Sequence, residues 1–368
     1  MRRAGAAHLS RRAFTLAAAA GLVAAPALGQ AASQPAIVAE GGAAEDRIED
    51  THAALDLAIT QGCDFIQVNL VPSKEGALVA RRDAELSAST DIAARPDFAD
   101  RKTTKTVDGA DVAGWFAEDF SLAELKTLTC REALPALRPQ TLRYNGKEPI
   151  LTLAEVLQLA RDGCVRTGRT VGVCLRLMHP GAYQDQGADV VARLASELST
   201  EGYGSPAAAI WVQASEPESL RTFGRLSRVR RMLIVDPGGP DTAQQTSSAG
   251  LGDIKAYADA ISASQDLLLD PTAATFPAPT TLALDAHNAG LQVFSHTARG
   301  QNAFLPAALR QGDKRSKAFP GQRGDVGRLL LALFADRLDG VATDLPALAG
   351  AARGQAMDAL RRARPKSG

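Results

Sequence analysis

From residue 36 onward, short apolar runs alternate with stretches in which apolar residues recur every three or four positions. The runs at 36–40 (AIVAE), 64–70 (DFIQVNL), 170–177, 208–215, 230–236, 260–264, 291–297 and 340–344 have the length and composition of buried strands. Between them lie helical patterns. At 50–61, Ala54, Leu55, Ala58 and Ile59 share a face and Gly62 marks the end. Further helical patterns occupy 151–161, 190–199, 217–226, 251–258, 280–290 and 325–338, and the C-terminal tail reads as one more. A turn at Lys74-Glu75-Gly76 joins 64–70 to a pairing run at 77–82. Eight strands alternating with helices predict an α/β fold, a (β/α)8 TIM barrel over about residues 35–353. An open doubly wound sheet is the competitor, but the first turn, AEGGAAED, lacks the GxGxxG such sheets favour. Residues 83–148 are too long for a strand–helix loop and predict an inserted subdomain on the carboxyl-end face of the barrel. Its helix signal lies at 121–128, with Ser121 as cap and Glu124 three positions on. Residues 354–368 are the helix end and tail.

Residues 1–31 stand apart. A basic start is followed by a mildly apolar run from Ala13 to Ala25 and by small residues around Ala27, Gly29 and Ala31. The run is too short to span a bilayer and predicts a removable signal peptide. Ser10-Arg11-Arg12-Ala13-Phe14 is similar to a twin-arginine export signal, with a Sec signal as the alternative. The expected location is periplasmic or secreted, in a bacterium. No later stretch is apolar enough for a transmembrane span.

Composition refines this. The 368 residues carry 41 basic and 41 acidic side chains and are 45% apolar, enough for a large core. The leader contributes four arginines and no acid, so a mature chain keeps 37 basic residues against 41 acidic. That balance argues against nucleic acid as a partner. Cys63, Cys130, Cys164 and Cys174 form no CxxC; an oxidising compartment permits disulfides, and the sequence sets no pairing.

Several segments resemble one family. RPDFADRKTTKTVDGADVAGWFAEDFSLAELKTL (95–128) is similar to the insertion of the periplasmic glycerophosphodiester phosphodiesterases. Pro35 to Asp91 resembles their first two strands, and VFSHTARGQNAFLP (293–306) and LDGVATDLP (338–346) their seventh and eighth. The resemblance implies cleavage of glycerophosphodiesters to glycerol 3-phosphate and an alcohol. It implies two acid–base histidines, a divalent metal held by carboxylates, and basic residues on the phosphate. A metal polarises a phosphoryl oxygen, hard cations take carboxylate oxygens, and histidine exchanges protons near neutrality.

Carried over position by position, that pattern is largely replaced. The first strand of the family ends in His-Arg-Gly; here it ends in Glu40-Gly41-Gly42, so Glu40 takes the histidine position and Gly41 the phosphate arginine's. The metal-ligand positions hold Glu49, Gln67, Asn69 and Arg176, and only Glu49 matches the family. The second histidine position holds Arg82, and the phosphate lysine's holds Met178 before His179-Pro180. Gln67 and Asn69 lack the charge a divalent ion needs, and Arg176 adds a permanent cation. Arg82 cannot release a proton in the useful range.

These substitutions predict an inactive family member with no competent catalytic residue and no bound metal. Glu40, Glu49, Arg82 and Arg176 are expected to form an ion-pair network in the metal's place. Pocket candidates are Gly41, Arg82, Arg176, Met178, His296 and Arg299. His296 points either into the pocket or into packing, and Asp344 and Arg299 match family positions at strand ends or loops. Arg82 and Arg176 would favour a small phosphodiester or other anionic ligand; a lipid headgroup or a protein are further candidates. Two active alternatives stay open: a phosphodiesterase using Ca2+ or Mg2+, and a hydrolase rebuilt on Glu40 and Glu49. Glu45, Asp46, Glu49, Asp50 and Asp83 are acids that could assemble another metal site, or solvated loop charges.

Overall fold

Eight strands pair in parallel and close on themselves in a computed structural model that describes residues 34–107, 109–185, 187–273 and 276–363. They are β1 (Ala36–Glu40), β2 (Phe65–Pro72), β3 (Gly172–Leu177), β4 (Ile210–Ala214), β5 (Arg230–Val235), β6 (Ala260–Ser264), β7 (Gln292–Ala298) and β8 (Gly340–Thr343). Each pairs with the next in chain order, and β8 returns to β1 through Ala36↔Gly340 to Ala39↔Thr343. The expected (β/α)8 barrel is therefore the fold. Eight principal helices follow the strands: α1 (His52–Thr60), α2 (Leu153–Thr167), α3 (Val190–Thr200), α4 (Pro217–Leu226), α5 (Ser248–Lys255), α6 (Leu282–Asn288), α7 (Val326–Ala335) and α8 (Pro346–Ala363). The predicted signal peptide lies outside the described residues.

Caps explain where helices differ from the expected spans. α2 runs six residues further than its pattern and stops at Gly168, whose φ of +66° favours glycine. α5 starts three residues early because the Ser247 hydroxyl accepts from the Gly250 amide.

Alternation along the strands divides the barrel into a dry floor and a polar mouth. Ile37, Ile66, Val68, Val173, Leu175 and Val212 face the helices in the main core. The opposite face carries Val38, Cys174, Trp211, Met232, Ala260, Phe294 and Ala342, which fill the interior. Two residues further along, six of these seven positions turn polar, Glu40, Arg176, Gln213, Ser262, His296 and Asp344, while β5 keeps Ile234. The ladder sets Glu40 beside Gln67, Asn69 beside Arg176, and Arg176 beside Gln213. A period of two thus places one residue of each pair in the core and the next at the site.

The segment after β2 begins with a strand at Leu78–Ala80, antiparallel to the end of β2. It continues through a hairpin of Thr103–Val107 with Ala110–Gly114. Leu86, Ile92, Phe98, Trp115, Phe120, Leu125 and Leu128 form a second core together with Ile48 and Val71 of β2. Ser121 and Glu124 cap a single short helical turn, Leu122–Leu125, instead of the longer helix expected at 121–128. The four cysteines carry free thiols.

Candidate functional site: an arginine-laced barrel mouth

The residues at the carboxyl ends of β1, β2, β3, β7 and β8 meet two arginines from the segment after β2. Arg82, two positions beyond Leu78–Ala80, grips Glu49 with two contacts, Nε to Oε1 and Nη2 to Oε2, both 3.0 Å. The Nη2 contact is a charge-assisted hydrogen bond, and the Nε contact is an ion pair without hydrogen-bond geometry. Arg138 lies deeper, 1% exposed. Its Nη2 donates to Asp344 Oδ2 at 2.6 Å, and its Nη1 stands 3.6 Å from Glu49 Oε2. Glu49 therefore sits between two guanidinium groups.

Glu40 pairs elsewhere. Arg299 Nη2 donates to its Oε1 at 3.2 Å, and the Thr297 hydroxyl donates to Oε2. Burial opposes the charge on Glu40, but Arg299, Arg82, the Thr297 hydrogen bond and Arg176 outweigh it and hold the carboxyl at about 2. Burial likewise opposes the charge on Arg82, and Glu49, Glu40 and Asp50 override it and make it more basic than usual. The expected four-residue network is thus partly redrawn. Glu49 and Arg82 pair as expected, whereas Glu40, at the end of β1, takes Arg299, which follows β7 on the far side of β8. Arg138 and Asp344 complete the lattice. Arg176 makes no hydrogen bond or close ion pair among the described residues and acts on Glu40 and Asp236 through its charge.

The remaining candidates divide by position. Gly41 offers no room for a side chain: its φ is +66°, and a Cβ there would lie 2.9 Å from Glu49 Cβ. Gln67 and Asn69 are buried in the mouth. Arg176 and Met178 line a cavity of about 440 Å³ with Asp83, His179, Glu216 and Asp236. His296 faces the barrel interior, between Ser262 and Asp236. Its Nδ1 is 3.0 Å from the Ser262 hydroxyl and its Nε2 2.9 Å from Asp236 Oδ1. The His296 hydrogen bond lowers the Asp236 pKa, with burial opposing. Ser262 is buried away from the cavity, so the trio orients Asp236 and presents no accessible nucleophile.

Asp50 is the residue least visible in the sequence. It lies fully buried at φ +57° with neither carboxyl oxygen hydrogen-bonded. Burial, then the charge of Glu49, pushes its carboxyl up to about 7, against Arg81 and Arg82. Arg81, equally buried, donates to the carbonyls of Ala80, Ser89 and Glu49 at 2.7, 3.1 and 3.2 Å.

The donor set does not fit a divalent cation. Glu49 is committed to Arg82, Gln67 and Asn69 are neutral, and Arg176 is a guanidinium. Glu45, Asp46, Asp50 and Asp83 do not supply a substitute. Among the described residues no group of three His, Cys, Asp or Glu side chains is placed to hold a metal. Glu45 instead pairs with Arg323 at 3.0 Å.

A closed parallel barrel with its polar cluster at the carboxyl ends of the strands defines a TIM-barrel protein. The profile of the glycerophosphoryl diester phosphodiesterase family matches residues 41–346, and the chain belongs to that family. A glycerophosphodiester phosphodiesterase of Arabidopsis thaliana is 32% identical over 298 residues, 76% of this chain and 78% of the relative. One from Treponema pallidum is 28% identical, over 55% of each chain. A glycerophosphoryl diester phosphodiesterase structure from Silicibacter pomeroyi superposes with a TM-score of 0.63 at 15% identity, covering 88% of this chain and 94% of the other. A phosphodiesterase from Oleispira antarctica, solved with the product sn-glycerol 3-phosphate, gives 0.55 at 18%, covering 87% and 96%.

Proposed function

We propose that this chain is an exported, non-hydrolysing member of the family, with an ion-pair lattice in place of the metal and both histidines. The observation that carries this reading is the part-buried Arg82–Glu49 ion pair. It puts a guanidinium at a histidine position and spends the one retained ligand on it. Phosphodiester cleavage needs charge stabilisation on the phosphoryl oxygens and a proton donor for the leaving alcohol. Arginine gives charge but no proton near neutrality. Glu40, held at about 2, is a weak base, which argues against a hydrolase rebuilt on Glu40 and Glu49. Arg82 is occupied by Glu49, so any anionic ligand of the cavity would meet Arg176 instead. The exported location rests on the leader sequence alone.

The test is release of sn-glycerol 3-phosphate from glycerophosphocholine by the mature chain, with excess calcium or magnesium and an active homologue alongside. No turnover above the protein-free blank is expected. Metal-dependent release would establish the active phosphodiesterase instead, and metal-independent release a rebuilt site.

A further inference from the structure

Glu40 is arranged as a bound anion would be. Its two oxygens are taken by different donors on one strand end, Oε1 by Arg299 and Oε2 by the Thr297 hydroxyl. The Arg299 guanidinium lies 4.8 Å from the centre of the Phe304 ring, which holds it in place independently of its partner. Arg82 and Arg176 add two more positive charges around the same carboxylate. One buried carboxyl group thus accepts from a guanidinium and a hydroxyl, an arrangement of the kind that recognises external oxyanions, while Arg82 and Arg176 act on it through their charge.

We propose that Glu40 is a resident anion: its carboxylate fills a preformed oxyanion site of Arg299 and Thr297, and its removal opens that site to formate and phosphate. The proposal builds on the reading of a non-hydrolysing mouth, and it is tested by binding, so turnover decides the one and anion affinity the other. Glutamate to alanine deletes four heavy atoms, enough room for formate, and strands Arg299 beside an unfilled space. In the wild-type chain the site is closed from within, so a free oxyanion gains nothing there.

The experiment is thermal unfolding and calorimetry of the mature chain and Glu40→Ala in sodium formate or sodium phosphate, against sodium chloride of equal ionic strength. Glu40→Ala is expected to melt lower than wild type in chloride and to recover in formate. It is expected to bind phosphate about tenfold more tightly than wild type. The double variant Glu40→Ala/Arg299→Ala should lose the response. Equal anion dependence in wild type and Glu40→Ala, or a response surviving loss of Arg299, would overturn the proposal. If Glu40→Ala does not fold, wild type decides. Phosphate binding abolished by Arg299→Ala would show that the anion enters with Glu40 in place and would contradict it; no binding supports it.

Discussion

Arg138→Met is expected to destabilise the fold by about 3–5 kcal/mol, read as a lower urea midpoint at an unchanged slope. Arg138 is 1% exposed and Asp344 2%, so the pair at 2.6 Å is out of reach of water. Removing the cation leaves Asp344 buried without an ion-pair partner, with only the more distant charge of Arg299 to offset it, and takes a second positive charge from Glu49. The cost is that of the stranded carboxylate more than of a lost contact. Arg138→Met/Asp344→Asn should therefore lose less than Arg138→Met alone, because the uncompensated charge is gone. A double variant as weak as the sum of the singles would mean that Arg138 acts by filling space.

Asp50→Asn is expected to do the opposite, and only at high pH. The folded chain holds the Asp50 proton up to about pH 7, whereas an unfolded aspartate releases it near 3.8. The folded state therefore binds more protons across that interval, and stability falls as pH rises through it. The contribution is fully present below about pH 4 and lost above about pH 7. Asparagine keeps the shape, carries no charge, and tolerates the left-handed backbone at φ +57°. The variant should match wild type near pH 4 and exceed it near pH 8 by on the order of 2–4 kcal/mol. Glu49, Arg81, Arg82, Glu40 and Cys130 act electrostatically with Asp50. A gain of the same size at both pH values would place the effect in the backbone and not in the charge.

The barrel was legible because its signal is local. Each strand is a short apolar run; alternation puts Val38 and Glu40 on one face, and Glu40 reaches the mouth because it ends the strand. Gln67, Asn69 and Arg176 were located by the family resemblance, and His296 was left between pocket and packing. What the sequence did not disclose depends on distance. Arg138 and Asp344 are 206 residues apart and meet only because the segment after β2 folds back over the barrel. Glu40 was expected to face Arg82 and Arg176 and is bound instead by Arg299, 259 residues away in the chain, which the closed barrel brings to the same mouth. Asp50 reads as a loop charge; its burial follows from a turn that returns its amide to the Gly41 carbonyl at 3.1 Å. The hairpin at 103–114 had a local signal, Asp108-Gly109 between polar, β-prone residues, weaker than that of the buried strands.

The central claim is that guanidinium groups stand where a divalent cation is held in the family. Calorimetric titration of the mature chain with calcium tests it most directly. The predicted result is no one-site binding up to about 1 mM calcium and no change in melting temperature on adding chelator. One-to-one binding at about 10 μM or tighter, weakened by Glu49→Gln, would contradict it, because it would show Glu49 leaving Arg82 for a metal.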